Sequence, residues 1–142
     1  MKNRNIQHSD NWETPKDLYN RLNTEFIFDF DPCPICYDGN LQFDGLSIEW
    51  GNRNFVNPPY SKKLKESFVL KGIEESKKGK LCVFLLPVST STKLFHDHIV
   101  PNAKEIRFLR CRVKFIGYNT YSEKVENKCG MHDSMIVVLG GE

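Results

Sequence analysis

The 142-residue chain has no long hydrophobic run. Its longest apolar stretch, Leu81–Leu86, is six residues, against the roughly 20 that a membrane-spanning helix requires. The N-terminal sequence MKNRNIQHSDNWETP contains no apolar segment, so neither a secretory signal nor a membrane partner is expected. Cysteine is sparse and odd in number, five in all. Without an export signal, that count points to a reducing cytoplasm rather than a disulfide scaffold. Internal repeats and low-complexity tracts are absent. Charge of one sign is also missing, since the formal net charge is only +2.

What is present suits one small folded domain. Hydrophobic residues make up 39% and charged residues 27%, a globular composition. The length supports a single core over residues 12–142, with the polar residues 1–11 expected to be loose. The near-neutral charge hides a division. Residues 1–60 hold 5 Lys/Arg against 9 Asp/Glu, a net of −4, so residues 61–142 carry +6. An acidic front and a basic back suit a protein that holds one ligand with its first part and an anionic polymer with its second.

Local signals alternate between helix and strand. Thr14-Pro15-Lys16-Asp17 predicts a helix with Thr14 as N-cap and Pro15 in the first position. Phe26–Asp31 predicts a short buried strand stopped by Pro32. Short strands are expected at Leu41–Phe43 and Asn54–Val56, the second ended by Pro58-Pro59. Ser61 predicts a cap for a helix reaching about Lys78, with Leu64, Phe68 and Ile73 inward. Leu81–Leu86 reads as a central parallel strand covered on both faces. A helix over Thr90–Ile99 and strands at Glu105–Leu109 and Ser134–Leu139 follow, with a basic, aromatic, loop-like stretch at about 111–132. The expected class is α/β with a mostly parallel sheet and an antiparallel strand near the C-terminus. Ligands of such sheets bind beyond the carboxyl ends of the strands.

Two strand ends stand out: Asp31-Pro32 and Asn57-Pro58-Pro59-Tyr60. In the second, two prolines stiffen the turn and leave carbonyl oxygens free to accept. The Asn57 side-chain oxygen and the Pro58 carbonyl can together hold both hydrogens of a planar NH₂ group. Tyr60 offers a flat face for stacking. Held this way, the amine nitrogen presents its lone pair to an electrophile, and no strong base is needed.

The tetrapeptide resembles the catalytic motif of S-adenosylmethionine-dependent amino methyltransferases that act on adenine or on glutamine amides. The wider order of Trp12-Glu13-Thr14-Pro15, Phe28–Cys33, Asp44-Gly45-Leu46 with Trp50, Phe55–Ser61, Leu86-Pro87 and Arg112–Phe115 resembles the phage-type DNA N6-adenine methyltransferase family over about residues 12–139. The resemblance implies a reduced Rossmann-like methyltransferase fold. It implies that Asn57, Pro58, Pro59 and Tyr60 form the target-amine site. It assigns Trp12, Thr14, Pro15, Asp31, Pro32, Cys33 and Asp44 to binding S-adenosyl-L-methionine. It also implies double-stranded DNA as partner, a homodimer as a further candidate assembly, and the cytoplasm of a bacterial host. No Gly-rich loop follows the first predicted strand, and only 26 positions separate Asp31 from Asn57, so the cofactor half is reduced.

Plainer roles stand beside these: Trp12 as a hydrophobic staple on the first helix, Asp31 as a strand-end turn acid, Asp44 as part of an Asp-Gly turn. Arg107, Arg110, Arg112, Lys114, Tyr118, Tyr121 and Lys124 interleave positive charge with aromatics, which suits phosphate contact and some base readout; a solvated strand edge has the same look. Cys33, Cys36, Cys129 and His132 have the arithmetic of a Cys₃His zinc site, which leaves a zinc-stabilised nucleic-acid module as an alternative. A redox Cys33–Cys36 pair is a third. Methylation of a protein glutamine amide is the other enzymatic reading. The amino-methyltransferase reading itself needs no metal.

Overall fold

The computed structural model describes residues 13–34, 44–59, 61–118, 124–126 and 132–141. Trp12, Cys36, Leu41–Phe43, Tyr60, Tyr121 and Cys129 lie outside them, as does the N-terminal segment 1–11. Helix α1 spans Lys16–Phe26 and buries Leu18, Leu22 and Phe26 at helical spacing. Its N-cap position is Pro15, with no side-chain cap, so the expected cap at Thr14 shifts by one residue and the Thr14 hydroxyl serves elsewhere.

Strand β1 (Arg53–Val56) leads to helix α2 (Lys62–Ser76), then strand β2 (Leu81–Pro87). Ser61 caps α2 as expected, accepting from the Leu64 amide at 3.3 Å. Phe68 and Ile73 are buried, but Leu64 is 41% exposed, because it sits in the first turn, where α2 has not yet come down onto the sheet. Next come a π-helical segment at Leu94–Ile99, a short helix α3 (Val100–Asn102) and strand β3 (Ala103–Phe108). The Thr90–Ile99 expectation of an ordinary helix is thus corrected to a wider winding. The loop-like stretch contains an unexpected two-stranded ladder, β4 (Ile116–Tyr118) against β5 (Lys124–Glu126). Strand β6 (Ser134–Gly140) closes the chain.

The main sheet has the order β1-β2-β6-β3. β1 and β2 are parallel, and β6 is antiparallel to both β2 and β3. Three strands therefore run one way, and the reversed strand near the C-terminus lies inside the sheet. Two of the three pairings are antiparallel, so the sheet is mixed by pairing rather than mostly parallel. β2 and β6 are buried along six consecutive residues each, as expected for strands covered on both faces. One face packs Val83, Leu85, Ile136 and Val138 against α1. The other packs Cys82, Phe84, Met135 and Val137 against α2 and the π-helical segment. Gly72 lets α2 approach the sheet, since a Cβ there would lie 2.4 Å from Phe84 Cε1.

The strand expected at Phe26–Asp31 is reduced to one parallel bridge, Phe30 to Asn54. α1 runs through Phe26, and Ile27 then takes a left-handed conformation with φ 52°. That is costly for a β-branched residue. Asn23 holds the turn twice: its backbone oxygen accepts from Ile27 N and its side-chain oxygen from Phe28 N, both at 2.8 Å. Only residues 29–30 then reach β1, with Asp29 N donating to Arg53 O and Phe55 N to Phe30 O.

Candidate active site

The C-terminal ends of β1, β2 and β3 lie at one end of the sheet, together with Asp31, the residue after the bridged Phe30. Asn57 follows β1 directly. It is half-buried, and its Nδ2 donates to Thr14 Oγ1 at 3.1 Å. Pro58 and Pro59 are buried, so the turn is fixed both by its own rings and by its packing. Thr14 and Pro15 thus stand beside the Asn57-Pro58-Pro59 turn, and Pro15 O accepts from Tyr19 N at the start of α1.

Asp31 is exposed to water on one side, and neighbouring protein removes part of its hydration. That loss of bulk hydration pushes its carboxyl up to about 6, against the opposing hydrogen bond from Cys33 N at 2.9 Å. Burial, with the Asp31 charge adding to it, pushes the Cys33 thiol up to about 12. A thiol held protonated is a poor nucleophile and a poor redox partner. Tyr19, on α1, also belongs here. Its ring meets Phe55 edge-on at 5.2 Å, and its hydroxyl is raised by burial and by the nearby Asp31 charge. Nothing in its sequence neighbourhood separates it from Leu18 and Leu22.

Asp44 arrives from a separate turn. Its carboxylate accepts from Leu46 N at 3.0 Å and Ser47 Oγ at 2.8 Å, which lowers its pKa. The Asp-Gly turn is therefore real. It rests directly on the Asp31–Cys33 corner, because a Cβ on Gly45 would sit 1.9 Å from Pro32 O. Gly45 O also accepts from Trp50 Nε1 at 2.7 Å. Trp50 N in turn donates to Glu75, whose side chain is 0% exposed and ion-paired with Lys71, Lys78 and Lys80. Burial works to raise the Glu75 carboxyl. Hydrogen bonds from the lysines and from Trp50 N outweigh it and hold the group at about 2.

Asn57, Thr14, Pro15, Asp31, Pro32, Cys33 and Asp44 thus gather at one end of the sheet. The expected polymer-binding residues fare unevenly. Arg107 is bound by Glu25 and Glu105 and lies 5.2 Å over the Phe26 ring. Arg112 pairs with Asp133 at 3.2 Å. Arg110, Arg112 and Lys114 line a cavity of about 410 Å³ with Pro15 and Arg21. Tyr118 and Lys124 belong by backbone to the β4–β5 ladder. His132 is exposed, while Cys36 and Cys129 fall outside the described residues, so the four-residue zinc set is not assembled from what is described. Among the described residues no cluster of three metal-ligating side chains occurs. Among them, too, no helix is long and apolar enough to cross a membrane.

No curated protein matches the chain. The family model described as DNA N-6-adenine-methyltransferase (Dam) matches residues 2–140. With that match over nearly the whole sequence, the chain belongs to the DNA N-6-adenine-methyltransferase (Dam) family.

Proposed function

We propose that the protein transfers the methyl group of S-adenosyl-L-methionine to the exocyclic amino group of adenine in double-stranded DNA. The observation that carries this reading is the Asn57–Thr14 hydrogen bond. It commits the Asn57 amide nitrogen to Thr14 as a donor, so the acceptor end of the amide is the end left to serve an NH₂ group. The reduced Rossmann-like fold belongs to the same proposal. Its support is the reversed strand near the C-terminus and the gathering of Asn57, Asp31 and Asp44 at the carboxyl end of the sheet.

The residues present fit the cofactor. Asp31 is a partly dehydrated acid that gains from a cationic neighbour, and the cofactor carries a positive sulfonium and an amine. Asp44 keeps lone pairs beyond the two it uses in its turn, enough to accept from ribose hydroxyls. Thr14, Pro15, Pro32 and Cys33 would flank these acids, and Trp12 would join them. When bound, the cofactor supplies an electrophilic methyl, whose carbon–sulfur electron pair returns to sulfur as the amine nitrogen takes the carbon.

The remaining work belongs to the chain. Paired adenine hides its amino group, so the base is extruded from the stack. Tyr60 stacks on the extruded base. Asn57 Oδ1 and Pro58 O accept its two N–H bonds and aim the nitrogen lone pair. Pro59 keeps the turn from yielding. One amine proton leaves to water after transfer. Positioning supplies most of the rate. The single domain with a basic segment at about 111–132 belongs to this reading, as do a homodimer and the cytoplasm of a phage- or prophage-carrying bacterium.

The test is transfer of labelled methyl to adenine in duplex DNA, with Asn57→Ala as control. Transfer by the wild type and a loss of about 10²–10³ in the variant are expected. Cofactor-binding, folded protein that labels no DNA overturns the reading. Label on protein amides instead would favour the glutamine reading.

A further inference from the structure

A second cavity, of about 530 Å³, opens at the same end of the sheet as Asn57, one strand over. In the register of β1 with β2, Val56 is level with Phe84. The cavity residues Leu86 and Pro87 therefore lie beyond that level, as Asn57–Pro59 do on the neighbouring strand. Its floor is apolar, formed by Leu86, Leu94, Ile99 and Met135. Its wall is the π-helical segment, which places the half-buried Phe95 on the lining. Thr92 Oγ1 accepts from Phe95 N at 3.2 Å and donates to Ser89 O at 3.0 Å, so the wall is tied to the loop that precedes it.

The rim carries Lys62, Lys65 and Lys93 against one acid, Glu66. Among the described residues none of these three lysines is ion-paired. Arg107 and Arg112, by contrast, already face carboxylates. Cations without partners over an apolar, aromatic-lined hollow match the chemistry of a nucleotide: phosphate oxygens for the ammonium groups, a base face for the ring.

We propose that this cavity takes a nucleotide flanking the target adenine, with Lys62, Lys65 and Lys93 on the strand's phosphates and Phe95 beneath the flanking base. The proposal rests on the functional reading above and adds a second point of contact, separate from the amine turn, that fixes which stretch of DNA strand crosses the site.

The experiment measures duplex binding by fluorescence anisotropy across a salt series, with methyl transfer to adenine measured on the same samples. For Lys65→Ala/Lys93→Ala the slope of log K against log salt is expected to flatten by about 1.8, two phosphates' worth. Phe95→Leu is expected to weaken binding about tenfold with the slope unchanged. Melting temperatures equal to wild type establish that the variants fold. An unchanged slope in the lysine variant overturns the proposal, as does unchanged affinity with Phe95→Leu, and both leave the methyltransferase reading standing. Failure of the wild type to bind any duplex overturns both.

Discussion

Asn57 and Thr14 are 43 residues apart in sequence and meet side chain to side chain, Nδ2 donating to Oγ1 at 3.1 Å. The contact joins the start of α1 to the end of β1. On the proposed reading it lets Thr14 orient the amine acceptor, beside the cofactor role its resemblance suggested.

The first prediction separates those two roles. Thr14→Val keeps the shape and removes the oxygen, so turnover falls about ten- to a hundredfold while cofactor affinity holds. Thr14→Ser restores most of the rate. Single-turnover kinetics with calorimetric cofactor titration reads both quantities. A variant whose cofactor affinity collapses at undiminished turnover would return Thr14 to the cofactor alone.

A second prediction concerns Gly45. No side chain fits at that position, because Pro32 O occupies the place of a Cβ. Gly45→Ala must therefore lift the Asp44 turn from the Asp31–Cys33 corner. Cofactor affinity should fall at least tenfold, with a lower melting temperature. Gly72→Ala provides a contrast. It collides with Phe84 in the core and costs about 2 kcal/mol of stability, with cofactor affinity per folded molecule unchanged.

A third prediction is about pH. The folded Asp31 carboxyl lies near 6, above its ordinary value of 3.8. Between those values the folded state holds more protons than the unfolded one, so Asp31 makes stability fall as pH rises through that window. Asp31→Asn should melt higher than wild type at neutral pH and bind the cofactor less well. Thermal scans with and without cofactor from about pH 4 to about pH 8, through that window and beyond it, check both signs.

Glu75 has the opposite sign. Its folded carboxyl is held at about 2, below its ordinary 4.5. The stability it contributes is complete above the unfolded value and drains away as pH falls toward 2. Glu75→Gln should unfold at lower denaturant at pH 7 and lose part of the acid sensitivity of the wild type. Equal denaturant midpoints at pH 7 would mean the four-residue ion cluster is stabilising nothing.

The elements most legible in the sequence were those whose local signal agrees with their packing. β2 and β6 are continuous apolar runs and are buried throughout. α2 starts where Ser61 says it should. The candidate site's Asn57-Pro58-Pro59 turn and its Asp31 corner were also visible as residues, since Asn-Pro-Pro and Asp-Pro are informative as short strings. Long-range pairing was less visible. Phe26–Asp31 has the composition of a strand, but Asn23 reaches forward to hold Ile27 and Phe28 in a turn. The positive charge assigned to Arg107 is answered by Glu25, 82 positions away in the sequence. Charge counted along a chain has no means of registering a partner of that kind. The same blindness hid Tyr19 and the cavity between α2 and the π-helical segment.

The Asp44 turn is built like a cantilever. At one end Trp50 is clamped to Glu75 and its lysines; at the other, Gly45 rests on Pro32. The stiffness of the beam is set by ion pairs at the C-terminal end of α2, away from the amine turn. If Asp44 holds the cofactor as proposed, changes at Lys71, Lys78 or Lys80 would tune that grip from a distance while leaving the Asn57 turn untouched.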